Sequence, residues 1–365
     1  MRRLISALVA LLAVVACAPA APPAPSAPPP APAAGASPPA PTTTTPYLAA
    51  PGEAPMAIRV ATCAVTGGFV HLYTALEADL FTKYGLQVEL TNIGGSGAAL
   101  AALTTNEIQF LYCAADATID GLASGIDAQI VAAPLVGLVW LLIARPEIRT
   151  VAELRGKAVG VPRAGDLADR LSRLVLERHG LRPNEDVDIR PTGGSQPERY
   201  QAMLADIVQG NVLTPPMDAR ARQDGLNVIY DLADLGLPSI YSSAHASNAS
   251  IRDRPQMVGR FVAALAEAVY YTEKHPDAAR QALRKVLSLD DPDALDAAYQ
   301  AYAIKHINRR LRIPYDAVTA AIEDARAQGA PVVKRAQEVA TNQFADDLDR
   351  TGFLQQLWGS ELGPP

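Results

Sequence analysis

Cysteine is scarce in this chain: Cys17, Cys63 and Cys113 are the three in 365 residues, which leaves no cysteine-rich run to hold a catalytic metal. An excess of basic charge is also missing. The formal net charge of -6 excludes a strongly basic nucleic-acid binder. Long apolar runs are absent after the first 20 residues, where none reaches the roughly 18 residues needed to span a bilayer. What is present is ordinary for a folded protein, with 49% hydrophobic and 19% charged residues, so the 30 prolines do not signal a wholly disordered chain. At this length a single core normally divides, and two domains are expected.

The first residues read as an address. Arg2 and Arg3 precede an apolar stretch from Leu4 to Ala16, and Val14-Val15-Ala16-Cys17 sets small residues beside a cysteine. The segment resembles a bacterial lipoprotein signal with its lipobox, the alternative being a plain secretory signal. That resemblance implies cleavage after residue 16, lipidation of Cys17 and a mature chain tethered to the outer face of a membrane. Loss of Arg2 and Arg3 with the leader takes the charge from -6 to -8, so the tether is lipid and not basic side chains. Residues 17–56 are almost all Ala, Pro, Ser and Thr, including Pro28-Pro29-Pro30 and Thr42 to Thr45. With no apolar face to bury, they are expected to form an extended stalk. Folded structure is expected from Ala57.

From there, short apolar runs alternate with helical periodicity. Ile58 to Cys63, Leu86 to Leu90, Ile108 to Tyr112 and Ala128 to Ala133 read as strands, and Val70 to Tyr84 as one helix closed by Gly85. A second series starts near Arg145, with strands at Ala158 to Val161, Val187 to Arg190, Gly210 to Leu213 and Asn227 to Tyr230. After Tyr241 to Ala244 the chain is mainly helical. Strands separated by helices predict parallel pairing in an α/β fold. The expected organisation is one lobe from 57–143 plus 245–365 and a second from 144–244, with a ligand cleft between them.

Two stretches then carry a family resemblance. Gly67-Gly68-Phe69 followed by Ala78-Asp79-Leu80-Phe81-Thr82-Lys83-Tyr84-Gly85-Leu86-Gln87-Val88 is similar to the opening of the thiamine-precursor, nitrate, taurine and sulfonate binding proteins. Val151-Ala152-Glu153-Leu154-Arg155-Gly156-Lys157-Ala158-Val159-Gly160-Val161 resembles that family's step into the second lobe. The resemblance implies a type-2 periplasmic-binding-protein fold with two Rossmann-like lobes. It also implies an extracytoplasmic, monomeric, non-catalytic receptor of an ABC importer, whose partners are a permease, an ATPase and a small solute, with no cofactor or metal. An enzyme on the same fold, such as a pyrimidine synthase or a hydrolase, and a membrane-coupled sensor are the competing classes.

The site is expected in the loops that follow the strands. Gly94-Gly95-Ser96-Gly97, Arg163-Ala164-Gly165-Asp166 and Thr192-Gly193-Gly194-Ser195 lie at strand-to-helix turns, where backbone N–H groups and a helix dipole approach a ligand; plain turn chemistry is the alternative. Gly68, Phe69, Tyr112 and Tyr241 are placed at cleft edges, the aromatics to stack on a flat ring. Asp116 and Asp166 are candidate acceptors and Arg163 the cleft arginine. Core packing competes for Phe69 and Tyr112, and helix capping for Asp166. A flat heterocycle such as a thiamine-pyrimidine precursor or riboflavin is therefore preferred over nitrate, taurine or an alkanesulfonate, which would ask for more arginine.

Other features have their own readings. Gly94-x-Ser96-x-Ala98 approaches a nucleophile elbow, yet no Asp/His pair is assignable. Gly95-x-Gly97-x-x-Leu100 with Asp116 approaches a dinucleotide fingerprint but lacks its third glycine. His71 is expected as a capping or surface residue near the cleft mouth. Cys63 and Cys113 end neighbouring strands; two buried thiols are expected, with a disulfide as the alternative. Lys305-His306-Ile307-Asn308-Arg309-Arg310-Leu311-Arg312 is expected to be a solvated helix end rather than a docking patch.

Overall fold

The computed structural model describes residues 47–363. The expected leader, Cys17 and most of the expected stalk lie outside the described residues. The last part of that stalk does not behave as a spacer. Tyr47 is buried, its hydroxyl donates to Asp347 at 3.0 Å, and its ring lies on Gly259, where a Cβ would come within 2.0 Å of it. Glu53 takes two hydrogen bonds from Arg260, at 2.6 and 2.8 Å. This pairing holds the Glu53 carboxyl down at about 2. Residues 47–56 therefore belong to the folded body, because Tyr47 is an apolar anchor that the low-complexity composition around it conceals.

Two five-stranded sheets organise the rest. The first contains β1 (Met56–Thr62), β2 (Leu86–Asn92), β3 (Phe110–Cys113), β4 (Ala128–Val136) and β10 (Ile240–Ser247), in the order β2-β1-β3-β10-β4. The second contains β5 (Leu141–Ala144), β6 (Ala158–Val161), β7 (Asp188–Pro191), β8 (Gly210–Leu213) and β9 (Asn227–Asp231), in the order β7-β6-β8-β5-β9. Strands linked by helices pair in parallel, as expected: β1 with β2 and β3, β6 with β7 and β8. β10 and β5 are antiparallel to both their neighbours, which corrects the all-parallel expectation. Each is the strand that arrives from the other sheet, with no α-helix in the connection to reverse its course.

The same two strands move the lobe boundaries. β5 lies in the second sheet although 57–143 was assigned to the first lobe, and β10 begins at Ile240 in the first sheet although that lobe was resumed at 245. The chain thus crosses at 137–140 and 232–239. Leu141–Ala144 escaped notice because four apolar residues following another apolar run carry no period of their own.

Helices α1 (Val70–Glu77), α2 (Leu80–Lys83), α3 (Ser96–Thr104) and α4 (Ile119–Ala123) serve the first sheet; α5 (Leu167–Arg178), α6 (Gln196–Leu204) and α7 (Met217–Gln223) serve the second. The single helix expected from Val70 to Tyr84 is broken at Asp79, which has φ +52° and accepts from the Thr82 hydroxyl at 2.6 Å. After β10 come α8 (Asn248–Asp253), the 20-residue α9 (Pro255–Lys274), α10 (Pro276–Leu287), α11 (Pro292–Tyr299) with a π-helical turn Gln300–Lys305, and α12 (Tyr315–Ala327). Short helices at Ala336–Val339, Gln343–Arg350 and Phe353–Trp358 follow. α9 is the keel of the first lobe: Phe261 stacks on Phe110 at 3.9 Å and on Phe81 at 5.5 Å, with Val258, Val262 and Leu265 fully buried beside it.

The basic run is not a solvated helix end. Arg309 pairs with Glu273 at 2.8 Å and lies over the Trp358 ring, Arg310 and Arg312 pair with Asp349 and Asp346, and Lys305 pairs with Asp231. These contacts fasten the C-terminal helices to the first lobe and, through Lys305, to the second.

Candidate functional site

The ends of the parallel strands face a cavity of about 1150 Å³ whose walls come from both lobes. Its floor is covalent. Cys63, one residue past β1, is bonded to Cys113 at the end of β3, with Cα atoms 5.4 Å apart, which corrects the expectation of two free thiols. Side chains held in a parallel ladder stand out from the pleat rather than toward their neighbours across it, but Cys63 lies past the end of that ladder and is free to turn toward Cys113. Cys63, Ala64, Val65 and Thr66 line the cavity on one side of the bond and Ala114, Asp116 and Ala117 on the other.

Three helices present their N-termini here. Gly95, at φ +93°, precedes α3, and Ser96 begins it. Asp166 stands at the N-cap of α5 without capping it; its carboxylate pairs with Arg163 at 3.1 Å instead. Ser195 caps α6 by accepting from the Glu198 backbone at 3.3 Å, while Glu198 accepts from the Ser195 N–H at 3.0 Å. Orphan N–H groups at such ends attract acceptor atoms of a ligand.

Aromatic faces complete the walls. Tyr241 stacks on Tyr302 at 5.8 Å and sits so close over Gly68 that a Cβ there would be 2.1 Å from its ring. Only glycine permits that approach. Phe69 lines the cavity from the core side, and Trp140, in the first crossover, lines it from the hinge. Trp140 was missed because its crossover had no visible strand beside it.

Carboxylates outnumber cations. Asp116, Asp120, Asp166 and Asp324 line the cavity with Arg163 and Arg170. Arg163 is paired with Asp166, and Arg170 of α5 reaches across to Asp324 of α12 at 2.7 Å. Asp116 has no ion pair among the described residues. Burial pushes its carboxyl up to about 6, with Asp324 adding to the rise and Arg170 opposing it.

Of the residues singled out in the sequence, Phe69, Gly95, Ser96, Asp116, Arg163, Asp166, Gly194 and Tyr241 line this cavity. Tyr112 does not; it is fully buried, edge-on to Phe69 at 5.2 Å, because strand β3 is covered on both faces. Gly68 acts from beneath Tyr241, Gly97 lies on the outer side of the α3 turn, and Gly193 is covered by Glu198. His71 is neither cap nor surface. It is fully buried in α1, and burial lowers its imidazole to about 3. The second residue of α1 turns inward because Val70, Leu72 and Tyr73 are buried with it.

Comparison with known proteins agrees with this geometry. The family model described as NMT1/THI5 like matches residues 67–279. A candidate binding protein of Brucella abortus is 24% identical over 218 residues, 59% of this chain and 67% of its own length. The periplasmic aliphatic sulphonate binding protein of Escherichia coli superposes with a TM-score of 0.63 at 18% identity, covering 78% of this chain and 92% of that one. The alkanesulfonate-binding protein of Xanthomonas axonopodis pv. citri, bound to MOPS, gives 0.59 at 17%, covering 80% and 99%. The two-sheet arrangement is thus that of periplasmic binding proteins, and with more than half its length matched, the chain belongs to the NMT1/THI5-like family.

Proposed function

We propose that the protein is the extracytoplasmic solute receptor of an ABC importer, and that its solute is a small, flat nitrogen heterocycle, neutral or cationic. The receptor role is supported by the family, by the bilobal fold and by a cavity of about 1150 Å³ walled from both lobes. Solute capture, with no chemistry on the solute, fits walls in which, among the described residues, no histidine stands beside Ser96. Delivery to a permease and its ATPase follows from the same reading.

The nature of the solute rests on one observation: both cavity arginines are already neutralised by Asp166 and Asp324, while Asp116 stands unpaired and half-buried. A sulfonate or nitrate would meet spare negative charge. An aminopyrimidine would give its amino hydrogens to Asp116, take N–H donors at the starts of α3 and α6 onto its ring nitrogens, and lie against Tyr241 or Trp140. Ligand held by both lobes favours the closed form by the difference in its contacts with the two forms.

Native mass spectrometry of protein purified without refolding, followed by calorimetric titration with the aminopyrimidine precursor of thiamine and with taurine, tests this. Saturable binding of the pyrimidine and none of taurine is expected; tight taurine binding overturns the solute assignment and leaves the receptor role standing. We further propose that the mature chain is tethered by a lipid on Cys17, a reading that rests on Arg2, Arg3 and the Val14-Val15-Ala16-Cys17 sequence. Among the described residues no helix is long and apolar enough to cross a membrane. The Cys17→Ser protein is expected in the soluble fraction, and continued partition into detergent overturns the lipid tether.

A further inference from the structure

A second cavity, of about 630 Å³, lies at the same hinge. Successive residues of the first crossover face different cavities: Trp140 lines the solute cavity, while Val139 and Leu141 line this one. Neighbouring side chains of an extended segment point to opposite sides, so the two cavities flank the hinge. The walls of the second come from α7 and the end of β9 in one lobe, and from α11 and the π-helical turn Gln300–Lys305 in the other.

Its charge is lopsided. Asp218, Asp231, Asp293 and Asp296 line it against Arg222 and Lys305, and burial holds the His306 imidazole toward its neutral form. Asp231 is satisfied by Lys305 and Asp296 by Arg280 at 2.6 Å. Two acceptors are left over. Asp293 carries no ion pair among the described residues. Asp218 is only 6% exposed, accepts from the Arg222 guanidinium on Oδ2 at 2.7 Å, and has no hydrogen-bond partner for Oδ1. A buried carboxylate oxygen without a partner is costly unless something donates to it. The described residues contain no group of three or more acidic, His or Cys side chains able to hold a metal ion, so a compact metal is a poor occupant and an N–H donor on a carbon frame a good one. Pockets of a few hundred Å³ suit small organic molecules.

We propose that this cavity is a second small-molecule site, which takes a small organic ammonium compound through Asp293 and the unshared oxygen of Asp218. Because its walls belong to both lobes, an occupant touches the hinge from the side opposite the solute.

The test is calorimetric titration of the full chain with 1,4-diaminobutane, with succinate at equal ionic strength as the charge-reversed control. Comparison variants are Asp293→Asn, Asp218→Asn and, in the solute cavity, Asp116→Asn. Saturable diamine binding, weakened at least tenfold by Asp293→Asn and unchanged by Asp116→Asn, with no succinate binding, is the expected result. Asp293 is exposed, so its variant keeps the fold even where Asp218→Asn does not. Absence of saturable diamine binding overturns the proposal. So does binding that Asp116→Asn removes and Asp293→Asn leaves intact, an outcome that would move the amine to the solute cavity without touching the receptor reading.

Discussion

The two lobes share one strand order but hold their halves of the cavity by different means. In the first, the loops are fixed by the Cys63–Cys113 bond and by buried neutral contacts, such as the Thr118 hydroxyl against His245 Nε2 at 2.9 Å. In the second, they are fixed by charge and capping: Arg163 with Asp166, Gly165 donating to Asp169 at 2.8 Å, and the Ser195–Glu198 box. Covalent and apolar fastening ignores salt, whereas exposed ion pairs weaken as salt rises. The cavity loops of the first lobe are therefore expected to respond less to salt than those of the second.

Removing the disulfide should break that contrast most severely. The bond closes a loop of 50 residues, for which the chain-entropy account gives a stabilisation of about 4 kcal/mol. Denaturant unfolding of the Cys63→Ser/Cys113→Ser protein is expected to show a loss of that order, and solute affinity should fall with it. A change below 1 kcal/mol would mean that neutral contacts alone fix the first lobe.

Next comes the anchor at residue 47. Tyr47→Ala empties a buried site against α9 and removes the hydrogen bond to Asp347, at a cost of about 3 kcal/mol. Deletion of residues 17–46 should leave the melting temperature within about a degree. Equal effects from the two changes would erase the distinction between spacer and folded body.

The pH dependence probes Asp116, a first-lobe carboxylate on the cavity wall that has no ion pair among the described residues. Asp116 is held up at about 6 by burial, above its usual value. Its ionisation therefore opposes folding above pH 6, and that penalty is relieved as pH falls through 6 toward 4. A cationic solute needs the ionised form, so affinity should fall as pH drops below 6, by up to about tenfold per unit. Titrations between pH 5 and 8 check this, and Asp116→Asn should flatten the profile.

Smallest is the cross-lobe pair. Arg170 and Asp324 are both partly exposed, and such pairs contribute about 0.2 to 1 kcal/mol. Arg170→Met is expected to shift small-angle scattering of the solute-free protein slightly toward a larger radius of gyration and to reduce its response to salt. A large expansion would make this pair, rather than solute, the main clasp between the lobes.

Much of this architecture is legible in the sequence because helical crossovers write their own periodicity. Ala158–Val161 and Gly210–Leu213 appear at their observed bounds, since buried parallel strands are short apolar runs set off by helices. The strands that change sheets are less visible, lacking flanking helices of their own. At the site, glycines before helices located the turns, and Asp116, Arg163, Asp166 and Tyr241 fell on the cavity wall. Tyr112 and His71 went astray for one reason: position along an element tells how near a side chain is to the cleft, but not which way it points. Pairing across the lobes, such as Arg170 with Asp324, depends on residues about 150 positions apart and leaves no local mark.

The position of β10 bears on the order in which the chain acquires structure. Residues 141–231 supply the whole second sheet in one continuous stretch, while the first sheet has β10 between β3 and β4. During synthesis the second lobe has all its strands by residue 231, when the first still has an open slot between β3 and β4 that only residues 240–247 can fill. Domains tend to fold as units while the chain emerges. The inserted lobe is thus placed to mature first, and its return strand then closes the lobe that began before it.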